Sequence, residues 1–135
     1  MSECIFCKII NNEIPSKKIA ENNGAIAFLD LYPVSLGHTL VIPKKHCPNF
    51  SECDDESLNY VMSLAKDVAN LLKNTNLGIQ GFNYLSNENA IAGQVIPHFH
   101  FHIIPKYNEG KGFGLNHVSE EYTQEQLDKL NVLVK

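Results

Sequence analysis

The chain has 135 residues, 44% of them hydrophobic and 19% charged, with a formal net charge of -4. This length and composition suit one domain, residues 1–135, with an apolar core, and exclude an intrinsically disordered chain or a long coiled coil. All eleven basic residues are lysines, scattered among fifteen acidic residues. That distribution argues against nucleic acid or an anionic membrane as the partner.

Neither a membrane span nor a secretory signal is expected. The longest apolar stretches are far shorter than the ~20 residues that a transmembrane helix needs. The first residues have neither the basic part nor the apolar part of a signal peptide. We therefore expect a cytoplasmic protein whose cysteines stay reduced.

The first half of the chain predicts a short helix followed by three strands. Residues 4–10 suit one or two helical turns. Asn22-Asn23-Gly24 separates two apolar runs, 18–20 and 25–30, and an Asn-Gly pair in this position is typical of an antiparallel hairpin. A third strand is predicted over 38–43, which is rich in β-branched and aliphatic residues.

The second half predicts a long helix, two strands and a short helix. Over 54–73 apolar residues recur at three- and four-residue steps, the period of a helix packed on a sheet. These residues are Leu58, Val61, Met62, Ala65, Val68, Ala69 and Leu72. Strands are predicted over 82–86 and 99–104, and Thr123 with Gln126 forms a capping-box pattern that begins a helix to about residue 132. This order predicts an α+β domain with a mainly antiparallel sheet.

The most informative stretch is His98-Phe99-His100-Phe101-His102-Ile103-Ile104. Side chains alternate along a strand, so the three imidazoles are predicted to share one face and the apolar side chains the other. At ~3.3 Å per residue the outer histidines lie about 13 Å apart, which is too far for all three to bind one metal ion. Either two neighbours chelate a metal, or the three histidines divide between different roles.

Cys4 and Cys7 form a C-x-x-C pair, which in a reducing compartment is typical of a metal or redox site. A closed tetrahedral zinc site needs two further ligands. Spacing alone leaves Cys47 and Cys53 among the candidates.

The histidine stretch resembles the His-x-His-x-His-x-x signature of the histidine-triad (HIT) family. The resemblance covers nearly the whole chain, including residues 4–10, 27–30, 37–46, 86–88 and 93–94. These segments are similar to the Hint branch, particularly its zinc-binding bacterial type, rather than to the dinucleoside polyphosphate hydrolases. The resemblance implies a HIT-like fold, with a mainly antiparallel five-stranded sheet, one long and one short helix, and a homodimer that joins two sheets.

The resemblance also implies an activity. A purine nucleoside 5'-phosphoramidate would be hydrolysed to a nucleoside monophosphate and an amine through a covalent nucleotidyl-histidine intermediate. His100 would attack the α-phosphorus and must be neutral to do so. His102 and His38 would orient its ring through hydrogen bonds, and no cofactor is required for this chemistry.

A nucleotide pocket follows from the same resemblance. Asp30 would accept hydrogen bonds from the ribose hydroxyls. Asn87 and Gln94 would position the phosphate and the leaving group, while Gly93 would let backbone N–H groups approach the phosphate. Val95 occupies a position where some Hint proteins have Ser. The base would lie among Ile5, Phe6, Ile9, Phe28 and Leu40.

For the metal, the resemblance implies a structural zinc ion bound by Cys4, Cys7, His46 and His98. A closed shell leaves no open position for water, so this zinc would stabilise the fold. Three alternatives stay open: a dinucleoside polyphosphate hydrolase, a zinc hydrolase with an open site at His98 and His100, and a nucleotide-binding regulatory protein.

Overall fold

A computed structural model describes residues 3–135 of the chain. Its elements, in chain order, are α1 (Ile5–Ile10), β1 (Lys18–Glu21), β2 (Ala25–Leu29), β3 (Thr39–Pro43), α2 (Asp55–Lys73), β4 (Gly81–Leu85), a 3-10 turn (Ala90–Ala92), β5 (Phe101–Lys106) and α3 (Gln124–Leu133). Every predicted helix and strand is present, with its ends within two residues of the prediction.

All five strands form one antiparallel sheet in the order β1-β2-β3-β5-β4. The predicted hairpin joins β1 and β2, and the side chain of Asn22 accepts hydrogen bonds from the N–H groups of Gly24 and Ala25 at 3.0 and 2.8 Å. Because β5 lies between β3 and β4, His102 pairs with Leu40 on one side and Leu85 on the other. The sheet therefore holds one of the predicted catalytic histidines away from either edge.

The helices α2 and α1 cover opposite faces of the sheet. Alternate residues of β2 and β3 divide between two cores: Ala27 and Val41 pack with α2, whereas Phe28 and Leu40 pack with Phe6 of α1. The N-cap residue of the long helix is Asp54, whose side chain accepts a hydrogen bond from the N–H of Ser57. Its buried face matches the prediction except that Leu64 is buried, Leu58 is half-buried and Met62 is exposed.

The histidine stretch is only partly in a strand, which differs from the prediction. The strand begins at Phe101 rather than at Phe99, because the N–H of Phe99 donates to the carbonyl oxygen of Cys47 at 2.7 Å instead of joining the sheet. The alternation of faces still holds. Phe99 is buried in the α2 core, whereas the rings of His98 and His100 contact Phe6 of α1.

The C-terminal helix α3 begins with the predicted capping box. The hydroxyl of Thr123 accepts a hydrogen bond from the N–H of Gln126, and the Gln126 side chain accepts one from the N–H of Thr123. None of the residues in α3 is buried. Its exposed apolar side chains are Leu127, Leu130, Val132 and Leu133. Among residues 3–135, no helix is long and apolar enough to cross a membrane.

Candidate active site

A cavity of about 360 Å³ lies on the α1 side of the sheet, beside His100 and His102. This volume is in the range of small-molecule sites. Nine of the ten residues predicted to bind a nucleotide line it: Ile5, Phe6, Ile9, Phe28, Asp30, Leu40, Asn87, Gly93 and Val95. Two other cavities, of about 350 and 370 Å³, have no histidine in their walls.

A backbone carbonyl orients the ring of His100. Its Nδ1 lies 2.8 Å from the carbonyl oxygen of His98. A carbonyl oxygen only accepts hydrogen bonds, so Nδ1 carries the proton and Nε2 keeps its lone pair. The ring is 8% exposed and forms part of the cavity wall. It therefore presents an unprotonated nitrogen as its free ring atom.

His38 and His102 form a second hydrogen-bonded unit beside that ring. The N–H of Val34 donates to Nδ1 of His38 at 3.1 Å, so the proton of neutral His38 is on Nε2. This Nε2 lies 3.0 Å from Nδ1 of His102. His102 accepts there and carries its own proton on Nε2. The rings of His100 and His102 are in contact, with centroids 5.0 Å apart.

Burial favours the neutral form of all three rings. Burial lowers the pKa of His38 and of His100 below the ordinary value of 6.5. The pKa of His102 is lowered to about 4, first by burial and then by the neighbouring rings of His100 and His38. A neutral imidazole is the form that attacks phosphorus, so the site holds its candidate nucleophile in the reactive state.

Asp30 lies between the cavity and the hydrogen-bonded pair. One carboxylate oxygen accepts a hydrogen bond from the N–H of Tyr32 at 2.9 Å, and the other is 3.6 Å from Nε2 of His38. These contacts hold the carboxylate in place, and the residue lines the cavity. Leu31, Tyr32 and Ile96 also line the cavity but were not predicted. For Leu31 and Tyr32 the available signal was their position directly after Asp30 in the chain.

The loop before the histidines is built around Gly93, which has a φ of +102°. Only glycine adopts this conformation easily, and a Cβ atom here would lie 3.2 Å from the side-chain nitrogen of Asn87. The N–H groups of Gly93 and Gln94 already donate to the carbonyl oxygens of Ala90 and Asn89. After Gln94, Pro97 has no N–H, and the N–H groups of His98 and Phe99 donate to carbonyl oxygens as well. The loop amides available to a phosphate are therefore those of Val95 and Ile96.

Gln94 lies outside the cavity. Its Nε2 donates to the carbonyl oxygen of Pro48 at 2.7 Å, and its Oε1 accepts a hydrogen bond from the N–H of Asn89 at 2.8 Å. The side chain thus ties its own loop to the segment between β3 and α2.

The four predicted metal ligands lie together at the end of α1. The Nδ1 atoms of His46 and His98 are 3.1 Å apart. Sγ of Cys7 lies 3.3 Å from Nδ1 of His46 and 3.6 Å from Nδ1 of His98, and Sγ of Cys4 lies 3.5 Å from the latter atom. Nε2 of His98 donates to the carbonyl oxygen of Pro43 at 3.0 Å, so Nδ1 has a free lone pair.

These distances fit a tetrahedral metal. With Zn–N bonds near 2.0 Å and Zn–S bonds near 2.3 Å, neighbouring donors in a tetrahedron lie about 3.3 to 3.8 Å apart. Two thiols and two neutral imidazoles are also the donor set that zinc prefers. Without a cation the pKa of Cys7 is about 11, raised by burial and by Cys4. Cys47 and Cys53 lie in a separate group with Asp54.

Residues 11–109 match the HIT domain family. This chain belongs to the HIT family. It is 60% identical over 115 residues to an uncharacterized HIT-like protein of Mycoplasma genitalium, a match that covers 85% of this chain and 81% of the relative. It is 42% identical over 127 residues to the adenosine 5'-monophosphoramidase of Schizosaccharomyces pombe, covering 94% and 92% of the two chains.

A solved HIT structure has the same fold. The crystal structure of a HIT family protein from Bacillus anthracis superposes with a TM-score of 0.91 at 40% identity, covering 98% of this chain and 94% of the other. The predicted HIT fold, with its five-stranded antiparallel sheet, is confirmed.

Three backbone groups orient the HIT histidines: the N–H of Val34 and the carbonyl oxygens of Pro43 and His98. The residue types in the sequence gave no signal for these backbone groups. The hydroxyl of Ser86, which donates to the carbonyl oxygen of His100 at 2.8 Å, was also missed as an orienting group.

Proposed function

We propose that this HIT protein hydrolyses purine nucleoside 5'-phosphoramidates to a nucleoside monophosphate and an amine. One observation carries the proposal: the hydrogen bond from His100 Nδ1 to the carbonyl oxygen of His98 leaves Nε2 as a neutral nucleophile in a nucleotide-sized cavity. The likeness to the S. pombe adenosine 5'-monophosphoramidase supports the phosphorus-nitrogen bond as the one that breaks.

In the proposed reaction, Nε2 of His100 attacks the α-phosphorus. The bond between phosphorus and the amine nitrogen breaks, and the amine leaves after taking a proton from solvent. Water then attacks phosphorus and gives a proton back to solvent, which breaks the bond to His100 and releases the monophosphate. Nε2–H of His102 donates to a phosphoryl oxygen during both steps. His38 keeps that proton on the correct nitrogen, because its own Nε2–H occupies Nδ1 of His102.

The cavity supports a purine nucleotide as the substrate. Phe6 and Phe28 meet edge to face with their centroids 5.8 Å apart and, with Leu40, form an apolar wall for a base. Asp30 would accept hydrogen bonds from the ribose, and Asn87 would contact the phosphate. An apolar slot recognises the size of a ring better than its substituents, so adenine and guanine should both be accepted.

We propose that a zinc ion is bound by Cys4, Cys7, His46 and His98. The support is the agreement between their donor distances and tetrahedral geometry. When bound, zinc would join α1 to the sheet and stabilise the fold; four protein ligands leave no place for a reacting water. Bound zinc requires reduced thiols, which supports the cytoplasm as the location.

We further propose that the single HIT domain acts as a homodimer. β4 is an edge strand of the sheet. Its Tyr84 is exposed, although its ring stacks on those of Phe82 and Phe101. An apolar edge of this kind is typical of an interface, and joining two edges would extend the sheet across the dimer.

The geometry argues against an open metal site at His98 and His100. The two rings each use one nitrogen on a backbone carbonyl, and Nδ1 of His98 is directed at the cysteines instead of at His100. Asp30, His38 and His102 also bring three donor atoms within 4.8 Å. However, Nε2 of His38 carries a proton toward His102 and so has no lone pair for a metal.

Substrate competition and trapping of the intermediate test the proposal. Adenosine and guanosine phosphoramidates should both be hydrolysed faster than diadenosine polyphosphates. Rapid quenching followed by peptide mass spectrometry should detect a nucleotidyl group on His100. His117→Ala is the matched control, because this histidine is exposed and outside the cavity. Faster hydrolysis of diadenosine polyphosphates would assign the chain to that class instead.

A further inference from the structure

We propose that Cys47 and Cys53 form an intramolecular disulfide under oxidation, which closes the loop between β3 and α2. Their sulfur atoms are 2.8 Å apart, and the residues are 3% and 7% exposed. Neither residue contributes to the cavity or to the cluster of four zinc ligands. The proposal does not depend on the nucleotide chemistry.

The spacing of the two sulfurs suits a covalent bond better than a shared metal. Two thiolates on one tetrahedral zinc ion lie about 3.8 Å apart, which follows from Zn–S bonds near 2.3 Å. The sulfurs of Cys47 and Cys53 are about 1 Å closer than that. A disulfide needs them at ~2.05 Å, so the two sulfurs have to approach by only about 0.75 Å.

A peroxide is the co-reactant. It oxidises one thiol to a sulfenic acid, which takes one oxygen atom from hydrogen peroxide and releases water. The sulfur of the second thiol then attacks the sulfenic sulfur, and a second water molecule leaves as the S–S bond forms. The two thiols lose two electrons and two protons in total. Cys53 is the more accessible of the two at 7% exposed, so it is the thiol that peroxide oxidises first. A reductant such as a small thiol restores the pair.

The disulfide would close the loop 47–53, which is hydrogen-bonded to the residues before the histidines, at positions 88, 94 and 99. The carbonyl oxygen of Cys47 accepts a hydrogen bond from the N–H of Phe99. The carbonyl oxygen of Pro48 accepts one from Gln94, and Ser51 donates two to Glu88, at 3.0 and 2.6 Å. A disulfide restricts the unfolded chain and keeps these partners together. The oxidised protein should therefore be the more stable form.

The test uses the zinc-loaded full chain treated with hydrogen peroxide, with an untreated sample beside it. Free thiols are alkylated and the protein is digested with trypsin. Cys47 and Cys53 should both lie in the peptide 46–66, since lysines precede and end it. After oxidation this peptide should lack both alkyl groups and the mass of two hydrogen atoms. Thermal melting should rise by about 3 °C or more.

Two variants complete the test. Cys47→Ser and Cys53→Ser should each retain zinc and melt at the same temperature with and without peroxide. The wild-type peptide map requires no variant, so it stands even if a variant fails to fold. Alkylation of both cysteines after oxidation would overturn the proposal, as would a bond from either of them to Cys4 or Cys7. A disulfide without a rise in melting temperature would overturn its stabilising role.

Discussion

The two histidine groups differ in how the ring nitrogens are used, although neighbouring residues supply them. In the proposed zinc cluster, the lone pair of His98 Nδ1 is directed at the same point as Nδ1 of His46 and the cysteine sulfurs. In the proposed catalytic group, donors and acceptors alternate from the N–H of Val34 through His38 to His102. Lone pairs that converge on one point can bind a cation, whereas a chain of alternating hydrogen-bond donors and acceptors fixes which ring nitrogen carries the proton.

The difference depends on which ring nitrogen meets a backbone carbonyl. His98 uses Nε2, on Pro43, and is left with a free Nδ1. His100 uses Nδ1, on His98, and is left with a free Nε2. Identical side chains two residues apart are thereby suited to different proposed ligands, a metal for His98 and a substrate for His100. Mutations in the metal group should therefore lower stability and leave turnover, whereas mutations in the catalytic group should lower turnover and leave stability.

The largest effect is expected from His100→Ala in the catalytic group. A methyl group has no lone pair for phosphorus, so turnover of adenosine phosphoramidate should fall at least about 10³-fold. Zinc content, melting temperature and calorimetric binding of adenosine monophosphate should remain near wild type. His117→Ala serves as the control and should keep full turnover. Wild-type turnover in His100→Ala would eliminate the nucleophile.

The double variant Cys4→Ser/Cys7→Ser changes the metal group and leaves the catalytic group intact. Wild-type protein purified under reducing conditions should contain about one zinc per chain, and the variant none. Loss of zinc should lower the free energy of unfolding by about 4 kcal/mol when zinc is at a thousand times its Kd. The kcat measured well below the new melting temperature should survive, because the catalytic rings need no metal.

Metal analysis, melting and turnover on the same preparations check this expectation. A metal-free wild type would remove the zinc proposal. Loss of turnover at unchanged stability would favour the open zinc hydrolase instead.

A smaller effect is expected from His38→Ala, which interrupts the alternating chain without touching the nucleophile. Nδ1 of His102 loses its buried donor, at a cost of about 1 to 3 kcal/mol, so the proton no longer stays on Nε2. We expect kcat to fall about 10- to 100-fold with zinc content unchanged. Steady-state kinetics and metal analysis measure both, and an unchanged kcat would contradict the role given to His38.

The smallest effect is a displaced pH profile. Burial lowers the pKa of His100 below 6.5, so its lone pair persists as the pH falls to that value. The acid limb of kcat/KM should lie below pH 6.5, and a midpoint at or above it would contradict the buried nucleophile. The free energy of unfolding should also fall as the pH is lowered. His102 takes up its proton near pH 6.5 in the unfolded chain and only near pH 4 in the folded chain, so the stabilising contribution of its neutral form is lost between pH 6.5 and about 4.

Local patterns predicted most of the fold because each element had its own period or turn signal. The helical spacing located α2, and Asn-Gly located the hairpin between β1 and β2. The beginning of β5 could not be predicted, since it depends on the long-range bond from Phe99 to Cys47. The position of the Gln94 side chain also depends on a long-range contact. It was expected at the phosphate, but its amide donates a hydrogen bond to the carbonyl oxygen of Pro48.

The candidate site was likewise predictable where it depends on residue types and unpredictable where it depends on backbone hydrogen bonds. Which residues gather at the cavity was readable from their types and from the family resemblance. The protonated nitrogen of each ring was not, because carbonyl and N–H groups of the backbone decide it. Such groups are present at every residue and leave no mark in a sequence.

The short helix α1 has one more consequence. It has six residues, too few to be stable alone, and Phe6 within it contacts the rings of both His98 and His100. Cys7 on the same helix belongs to the metal cluster, and Ile5 and Phe6 belong to the cavity wall. A ligand that orders this helix at one site lowers the entropic cost of binding at the other. If zinc and a nucleotide both bind as proposed, thermodynamic reciprocity makes each of them raise the affinity for the other by the same factor.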